Sequence, residues 1–369
     1  MWNAVYVVAV VAIAAFLIIN LYPPLGGRAS SESRRRIEQS PHSRNRKFVN
    51  QIPTSMNMDL RTSLKVFADM LKGHPQGRPA APLETEKLSV ERLNADDAPA
   101  LTWFGHSAVL LRLDGKTIFL DPMLGQAPSP IPVIGGRRYS QKLPIEADQL
   151  PELDAVVISH DHYDHLDYGS IKKLRGKTRR FIVPLGVAAH LERWGIDPSR
   201  ITEHDWWDEL SLEGLSLACT PARHFSGRNV GSNRNSTLWC SWVVSGKQAK
   251  VFFSGDSGYG PHFKEIGDKY GPFDVTLMEC GQYDERWSGI HMLPEETVQA
   301  HIDVRGRTMI PIHWGAFTLA LHGWTDPVER AAKAAGERGV VVATPRIGEL
   351  VRIGGQEVPS ASWWRTVLT

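Results

Sequence analysis

From Ala4 to Ile19 every residue is apolar, and Leu21 and Tyr22 extend the run to about 18 residues. As a helix this covers roughly 27 Å against a bilayer core of about 30 Å. The pattern predicts an N-terminal transmembrane helix within residues 1–27, retained as an anchor. The competing reading is a cleavable signal peptide, but no Lys or Arg precedes the run and no small-x-small site precedes Pro23-Pro24. Residues 28–57 show no apolar period and are expected to form a flexible linker. Leu60, Leu64, Phe67, Met70 and Leu71 then recur at helical spacing, predicting an amphipathic helix over 58–72 that leads into the body. A Pro/Gly-rich stretch, 73–82, comes next, so that 58–99 is a helical lead-in and linker.

From Leu101 onward the pattern changes to short β-rich runs, among them 101–105, 107–113, 116–120, 155–159, 180–185, 215–220, 237–244, 250–255, 275–280 and 308–313. Helix-compatible stretches lie between several of them, near 169–175, 185–194, 261–269, 294–304 and 326–337. Pro294-Glu295-Glu296 has the form of a helix start, with proline in the first turn and acids favoured by the helix dipole. Strands interleaved with helices over 100–369 predict one α/β body with two sheet layers.

Charge sharpens this division. The whole chain has 42 Lys+Arg against 40 Asp+Glu, a net +2, which argues against a protein that coats nucleic acid. Residues 28–47 hold Arg28, Arg34, Arg35, Arg36, Arg44, Arg46 and Lys47 against Glu32 and Glu38, an excess of five, while residues 1–27 carry no charged side chain. The remainder is therefore mildly acidic, at −3. A basic collar after the apolar run favours a single-pass protein with its body in the cytoplasm, and the collar could touch anionic headgroups or simply be solvated. The odd set Cys219, Cys240 and Cys280, with no CxxC pair, indicates neither a disulfide framework nor a thiolate zinc site.

The chemistry concentrates after the strand Ala155–Ile158, in Ser159-His160-Asp161-His162-Tyr163-Asp164-His165-Leu166-Asp167. Imidazole and carboxylate are the ligands that suit zinc and related divalent ions, and His-x-His-x-Asp-His packs four of them into one turn. A closed site needs more. Later strands end near His224, at Gly255-Asp256-Ser257-Gly258 and at His313-Trp314-Gly315. Strand ends are where α/β sheets gather ligands, so these clusters can converge on one point.

In these motifs the chain resembles the metallo-β-lactamase superfamily. The resemblance implies a metallo-β-lactamase-like αββα sandwich, two β-sheets flanked by helices, that holds two divalent metal ions, zinc by default. It implies His160, His162 and His224 on one ion, Asp164, His165 and His313 on the other, and Asp256 between them, with Asp164 counted also among the catalytic residues. The common zinc β-lactamases use a cysteine where this chain has Asp256, which disfavours antibiotic hydrolysis. Within the superfamily the chain is similar to N-acylphosphatidylethanolamine-hydrolysing phospholipase D and its bacterial relatives. That likeness is carried by Leu101–His106, Ile118–Pro122, Ser159–Asp167, Asp205-Trp206-Trp207, Gly255–Tyr259 and Ile312–Gly315. It implies a phospholipid substrate at a membrane surface, cleaved to an N-acylethanolamine and phosphatidic acid; the alternative is hydrolysis of a soluble lactone or phosphorylated small ester.

His291, placed between the strand Val275–Glu279 and the Pro294 helix start, is the candidate proton donor to a leaving oxygen, set against a plain loop histidine. Arg137 and Arg138 are candidates to hold a phosphate, set against a solvated surface pair. Asp167 either orients a ligand imidazole or caps the following helix. His106 and Asp121 are expected to serve the scaffold or support the ligands. Trp206-Trp207 and Trp363-Trp364 are expected in the core or an interface.

Overall fold

The computed structural model describes residues 6–7, 10, 21–54, 59–133, 136–228 and 234–367. A short hairpin of β1 (Ser43–Arg44) and β2 (Lys47–Phe48) precedes two seven-stranded sheets. The first sheet contains β3 (Ala100–Trp103), β4 (Val109–Leu113), β5 (Lys116–Leu120), β6 (Leu153–Val157), β7 (Thr178–Pro184), β8 (Ile201–His204) and, from late in the chain, β16 (Leu350–Arg352), in the order β16-β3-β4-β5-β6-β7-β8. The second contains β9 (Glu209–Leu212), β10 (Leu215–Thr220), β11 (Ser241–Ser245), β12 (Lys250–Phe253), β13 (Phe273–Glu279), β14 (Gly306–Ile312) and β15 (Val341–Val342), in the order β15-β14-β13-β12-β11-β10-β9. Each sheet is antiparallel over one half and parallel over the other, with β5 to β8 and β12 to β15 the parallel runs.

Alternation along the strands builds the layers. Leu101, Trp103, Leu111, Ile118, Leu120 and Val157 share a core with Leu217, Trp242, Val244, Val251 and Phe253 of the second sheet. The intervening Leu110, Phe119, Val156, Phe181 and Val183 pack against Ile171, Leu174 and Leu191 of helices Tyr168–Leu174 and Ala188–Arg193. Helices Pro294–Asp303 and Asp326–Glu337 lie along β13, β14 and β15, with helix His262–Tyr270 beside them. The α/β body with two sheets and flanking helices is thus as expected.

Tryptophan fixes the end of β14. Trp314 lies 5.3 Å from Trp103, 5.6 Å from Trp363 and 5.6 Å from Trp364, ring centre to ring centre. Gly315 comes next with φ +71°, and a Cβ there would meet Trp103 at 2.9 Å. Trp206, Trp363 and Trp364 are all buried, while Trp207 is partly so.

The N-terminal expectations need correction. No helix among the described residues is long and apolar enough to cross a membrane, so the transmembrane helix, the single-pass anchor and the localisation derived from them are not supported. Most of the apolar run lies outside the described residues. The residues just after the run are tied to the body: Trp194 Nε1 donates to Pro23 O at 2.8 Å, Arg228 Nε to Pro24 O at 3.1 Å and Arg193 Nη1 to Gly26 O at 2.7 Å. Residues 28–57 also differ from the flexible linker read from their polarity. Helix Ser31–Gln39 is capped by Ser30, Ile37 and Phe48 enter the core, Ser33 Oγ donates to Glu203, and His42 pairs with Asp205 at 2.8 Å.

The helix predicted over 58–72 spans Leu60–Lys72, yet none of its residues is buried. Asp69 pairs with Arg286 at 2.9 Å. Asp69 lies opposite Leu60, Leu64 and Phe67 on a 3.6-residue helix, so the apolar stripe faces outward.

Two buried histidines give the body an acid sensitivity. His301 shares a hydrogen bond with Thr276 Oγ1 at 2.7 Å, and His262 with Ser257 Oγ at 3.0 Å. Burial lowers their pKa values to about 4 and about 3. An unfolded histidine has a pKa of about 6.5, so on acidification the unfolded chain takes up protons that the folded chain refuses. This contribution is complete above pH ~6.5 and is lost as pH falls towards ~4. Urea midpoints should fall across that window, and His301→Gln should flatten the slope; equal slopes in the two proteins would contradict the assignment.

Candidate metal centre

The site forms at the carboxyl ends of the strands. Beyond β5, Asp121 accepts from Ser159 N at 2.7 Å, drawing the turn after β6 against the neighbouring strand. Leu166 N donates to His162 O at 2.8 Å, which winds the turn tightly enough for its histidines to face one point. Asp167 then caps helix Tyr168–Leu174, accepting from Ser170 N at 2.7 Å and Ser170 Oγ at 2.6 Å. Of its two expected roles, the cap is the one observed.

Four groups of donor atoms result among the described residues, the atoms of each lying within 4.8 Å of one another, and two of these groups between them contain the expected ligands. In the first, His160 Nε2 lies 2.9 Å and His224 Nε2 3.3 Å from His162 Nδ1, with Asp256 Oδ2 3.7 Å from His160 and 3.8 Å from His224. In the second, Asp164 and His165 approach at 3.4 Å beside His313, and His106 Nε2 donates to Asp164 Oδ2 at 2.8 Å. Asp256 reaches this group too, its oxygens 3.1 Å from His165 Nε2 and 3.1 Å from His313 Nδ1. The structure therefore brings together all seven residues expected to hold metal, with Asp256 between the two groups.

The imidazoles are oriented from behind. Ser159 Oγ donates to Asp121 and so is left to accept from His160 Nδ1 at 2.9 Å. His165 Nδ1 donates to Asp121 at 2.7 Å, and His224 Nδ1 to Ile290 O at 2.8 Å. In each case the Nε2 lone pair points into the cluster, as metal ligation requires. Asn50 supports His224, donating to its carbonyl at 2.9 Å and accepting from its N–H at 3.1 Å.

Charge balance within this pocket favours cations. Burial and neighbouring imidazoles hold the pKa values of His160, His224 and His313 well below normal, keeping them in the neutral form that binds metal. Burial raises Asp256 to about 6 against the pull of His165. Burial opposes charge on His165, yet Asp256, Asp164 and Asp121 together hold its pKa well above normal. His165 Nε2 and Asp256 Oδ1 are buried without hydrogen-bond partners. Buried polar atoms left without partners are costly, and divalent ions satisfy them. The donor set fits a pair of such ions.

The remaining expectations divide. His291 is brought in, its ring 5.2 Å from His313 and 5.0 Å from His224, in reach of Asp256. Arg138 is not. Its buried guanidinium donates to Phe104 O at 3.1 Å, Gly125 O at 3.2 Å and Met123 O, and stacks on Phe317, so it braces the loop and has no fork left for phosphate. Arg137 is exposed, its carbonyl bound by Arg78. His106 and Asp121 act as supports, on Asp164 and His165.

Glu279 was not anticipated. It ends β13 fully buried, accepts from Met292 N at 3.0 Å and Ser257 N at 3.2 Å, and places Oε2 3.5 Å from His291 Nδ1. Burial raises its pKa well above normal. The available signal was a second acid, after Asp274, closing a mostly apolar strand.

Comparison with known proteins agrees with this geometry. The beta-lactamase superfamily domain matches residues 116–314. An uncharacterized protein of Mycobacterium tuberculosis is 42% identical over 348 residues, spanning 93% of this chain and 92% of that one. The N-acyl-phosphatidylethanolamine-hydrolyzing phospholipase D 1 of Caenorhabditis elegans is 35% identical over 249 residues, 63% of this chain and 69% of that one. A metallo hydrolase from Ignicoccus hospitalis shares the fold at a TM-score of 0.51 and 24% identity, covering 69% of this chain and 97% of that one. The chain belongs to the metallo-β-lactamase superfamily and is a metal-dependent hydrolase.

Elemental analysis of the purified protein should find two divalent ions per chain. Asp121→Asn, which disturbs the orientation of both His160 and His165, should weaken metal affinity about 10–100-fold in chelator competition while the body stays folded. Unchanged affinity would show that the tie through Asp121 does not govern binding.

Proposed function

We propose that this protein is a phosphodiesterase of the phospholipase D type that cleaves N-acylphosphatidylethanolamine to an N-acylethanolamine and phosphatidic acid. The observation that carries the reading is the Glu279–His291 pair beside the Asp256-centred cluster, in a chain 35% identical to an enzyme of that activity. His160, His162, His224 and Asp256 would hold one divalent ion, zinc by default, and Asp164, His165, His313 and Asp256 a second. Such a pair supplies Lewis acidity to the phosphoryl oxygens and a water acidified towards neutrality.

The chain's own residues supply the proton. Burial lowers the pKa of His291 and raises that of Glu279, while Asp256 and Asp164 favour charge on the imidazole. Glu279 Oε2 and His291 Nδ1 lie 3.5 Å apart, both buried and without hydrogen-bond partners among the described residues, so a protonated Glu279 would find its acceptor in the imidazole. With Nδ1 served by Glu279, His291 Nε2 can protonate the leaving alkoxide. Asp121, Ser159 and the Ile290 carbonyl hold the surrounding imidazoles fixed, so the site does not reorganise as charge develops. No protein nucleophile is needed.

The test is release of N-acylethanolamine from vesicles containing N-acylphosphatidylethanolamine. His291→Ala should lower kcat about 10²–10⁴-fold with both ions retained, and Glu279→Gln should shift the pH profile of kcat. Full activity in His291→Ala would remove the proton-donor role. Hydrolysis of soluble lactones or phosphorylated esters with none on vesicles would overturn the substrate.

A further inference from the structure

The basic collar takes no part in the metal centre, and in the fold its side chains are gathered rather than spread. Arg28, Arg34, Arg46 and Lys47 line one cavity of about 370 Å³, closed by Gly186 and His190 of the body. No acidic residue is among its described lining residues. We propose that this cavity is a second binding site, for an anion bearing a phosphate monoester group, separate from the metal centre.

Three separate elements deliver the cations. Arg28 follows the turn Pro23–Leu25, Arg34 lies on helix Ser31–Gln39, and Arg46 and Lys47 belong to the β1–β2 hairpin. Each element is tied down independently of the cavity, through Pro23 and Gly26, through Ser33 and Ile37, and through Phe48, whose N–H donates to Asn235 O at 2.8 Å. The arrangement is therefore a consequence of the fold.

The hairpin tip shows what the arrangement costs. Asn45 and Arg46 have φ of 51° and 60°, both left-handed, as in a two-residue turn whose second position is ordinarily glycine. An arginine there carries backbone strain, and strain of this kind collects at functional sites. It sets the Arg46 side chain on the cavity wall. Arg46 meets Glu38 at 3.8 Å, beyond hydrogen-bond reach, and Arg34 Nη2 donates to the neutral Ser31 Oγ at 3.2 Å. Among the described residues Arg34 is in no ion pair, and Arg46 has only this longer one with Glu38.

Arginine forks match the oxygen spacing of phosphate and can grip it with two parallel hydrogen bonds. The volume exceeds that of a bare phosphate, leaving room for the group it esterifies, and Ile37 and Ala29 offer that group an apolar wall. The ligand chemistry is thus a phosphate monoester, either a soluble one or the headgroup of a phosphatidate. The cavity also adjoins the metal turn. His190 Nδ1 accepts from Gly27 N at 2.9 Å, and its Nε2 lies 3.2 Å from Asp161, between His160 and His162. Yet no residue lining the cavity belongs to the metal groups.

Binding is measured on the full chain by calorimetry with glycerol 3-phosphate, at constant ionic strength set with chloride, and by co-sedimentation with phosphatidylcholine vesicles with and without phosphatidate. The double variant R34A/R46A should weaken glycerol 3-phosphate binding at least about tenfold, and R34K/R46K should fall between it and wild type. Asp256→Asn, at the metal centre, should leave this binding intact, which separates the two sites. Both arginines are exposed, so the variants should keep the wild-type melting temperature; if the pair does not, Arg34→Ala alone provides the comparison. Binding of glycerol 3-phosphate without capture on vesicles assigns a soluble ester. Capture on phosphatidate vesicles, displaced by glycerol 3-phosphate, assigns the headgroup. Equal affinity in wild type and R34A/R46A, or binding abolished by Asp256→Asn alone, would overturn the proposal.

Discussion

The carboxylate of Asp121 stands at the end of β5 and accepts three hydrogen bonds, from Ser159 N, Ser159 Oγ and His165 Nδ1. Through the serine hydroxyl it also dictates which nitrogen of His160 carries the proton. One buried acid thus orients an imidazole in each of the two donor groups. It does so while joining β5 to the turn that follows β6, so the local fold and the ligand geometry are the same set of bonds. Removing it would leave donors of the right kind in the wrong directions.

The cluster that Asp121 organises is electrostatically incomplete by itself. Several imidazoles are pressed towards neutrality by burial, His165 is pressed towards charge by its acids, and Asp256 is held near the middle of its range. Buried groups with such opposed preferences are typical of sites built for chemistry. Here the opposition is resolved by divalent ions, which is why the same residues both destabilise the bare pocket and define its purpose. The Glu279–His291 pair extends this pattern beside the cluster, with burial raising one pKa and lowering the other.

Much of this was legible in the chain because ligand chemistry needs particular side chains at short spacing. His160, His162, Asp164 and His165 lie within one turn, and His224, Asp256 and His313 each follow a strongly apolar strand. The helices Pro294–Asp303 and Asp326–Glu337 were visible from proline and acids at their starts. What escaped depends on contacts that no local pattern encodes. The collar buries only Ile37 and Phe48 as large apolar anchors, too few to show a period, and is otherwise held by polar contacts such as Ser33 to Glu203, so a folded segment looked like a linker. Arg138 is polar in sequence but spends its guanidinium on main-chain carbonyls. The stripe on Leu60–Lys72 has the period of a buried face, while one ion pair through Asp69 turns it outward. The apolar run at the N-terminus satisfied a length criterion, but most of it lies outside the described residues, none of whose helices is long and apolar enough to span a membrane.

The tryptophan stack behind His313 has a bearing on how the site is held whole. Trp314 is wedged between Trp103, from the first strand of the body, and Trp363 and Trp364, from far along the chain. Contacts so distant in sequence close long loops, whose entropic cost the packing must offset. The last of the metal-holding histidines is seated where the two ends of the body meet. The packing of both ends of the body and the geometry of the metal-holding residues therefore meet at Trp314, so metal affinity and folding are coupled there.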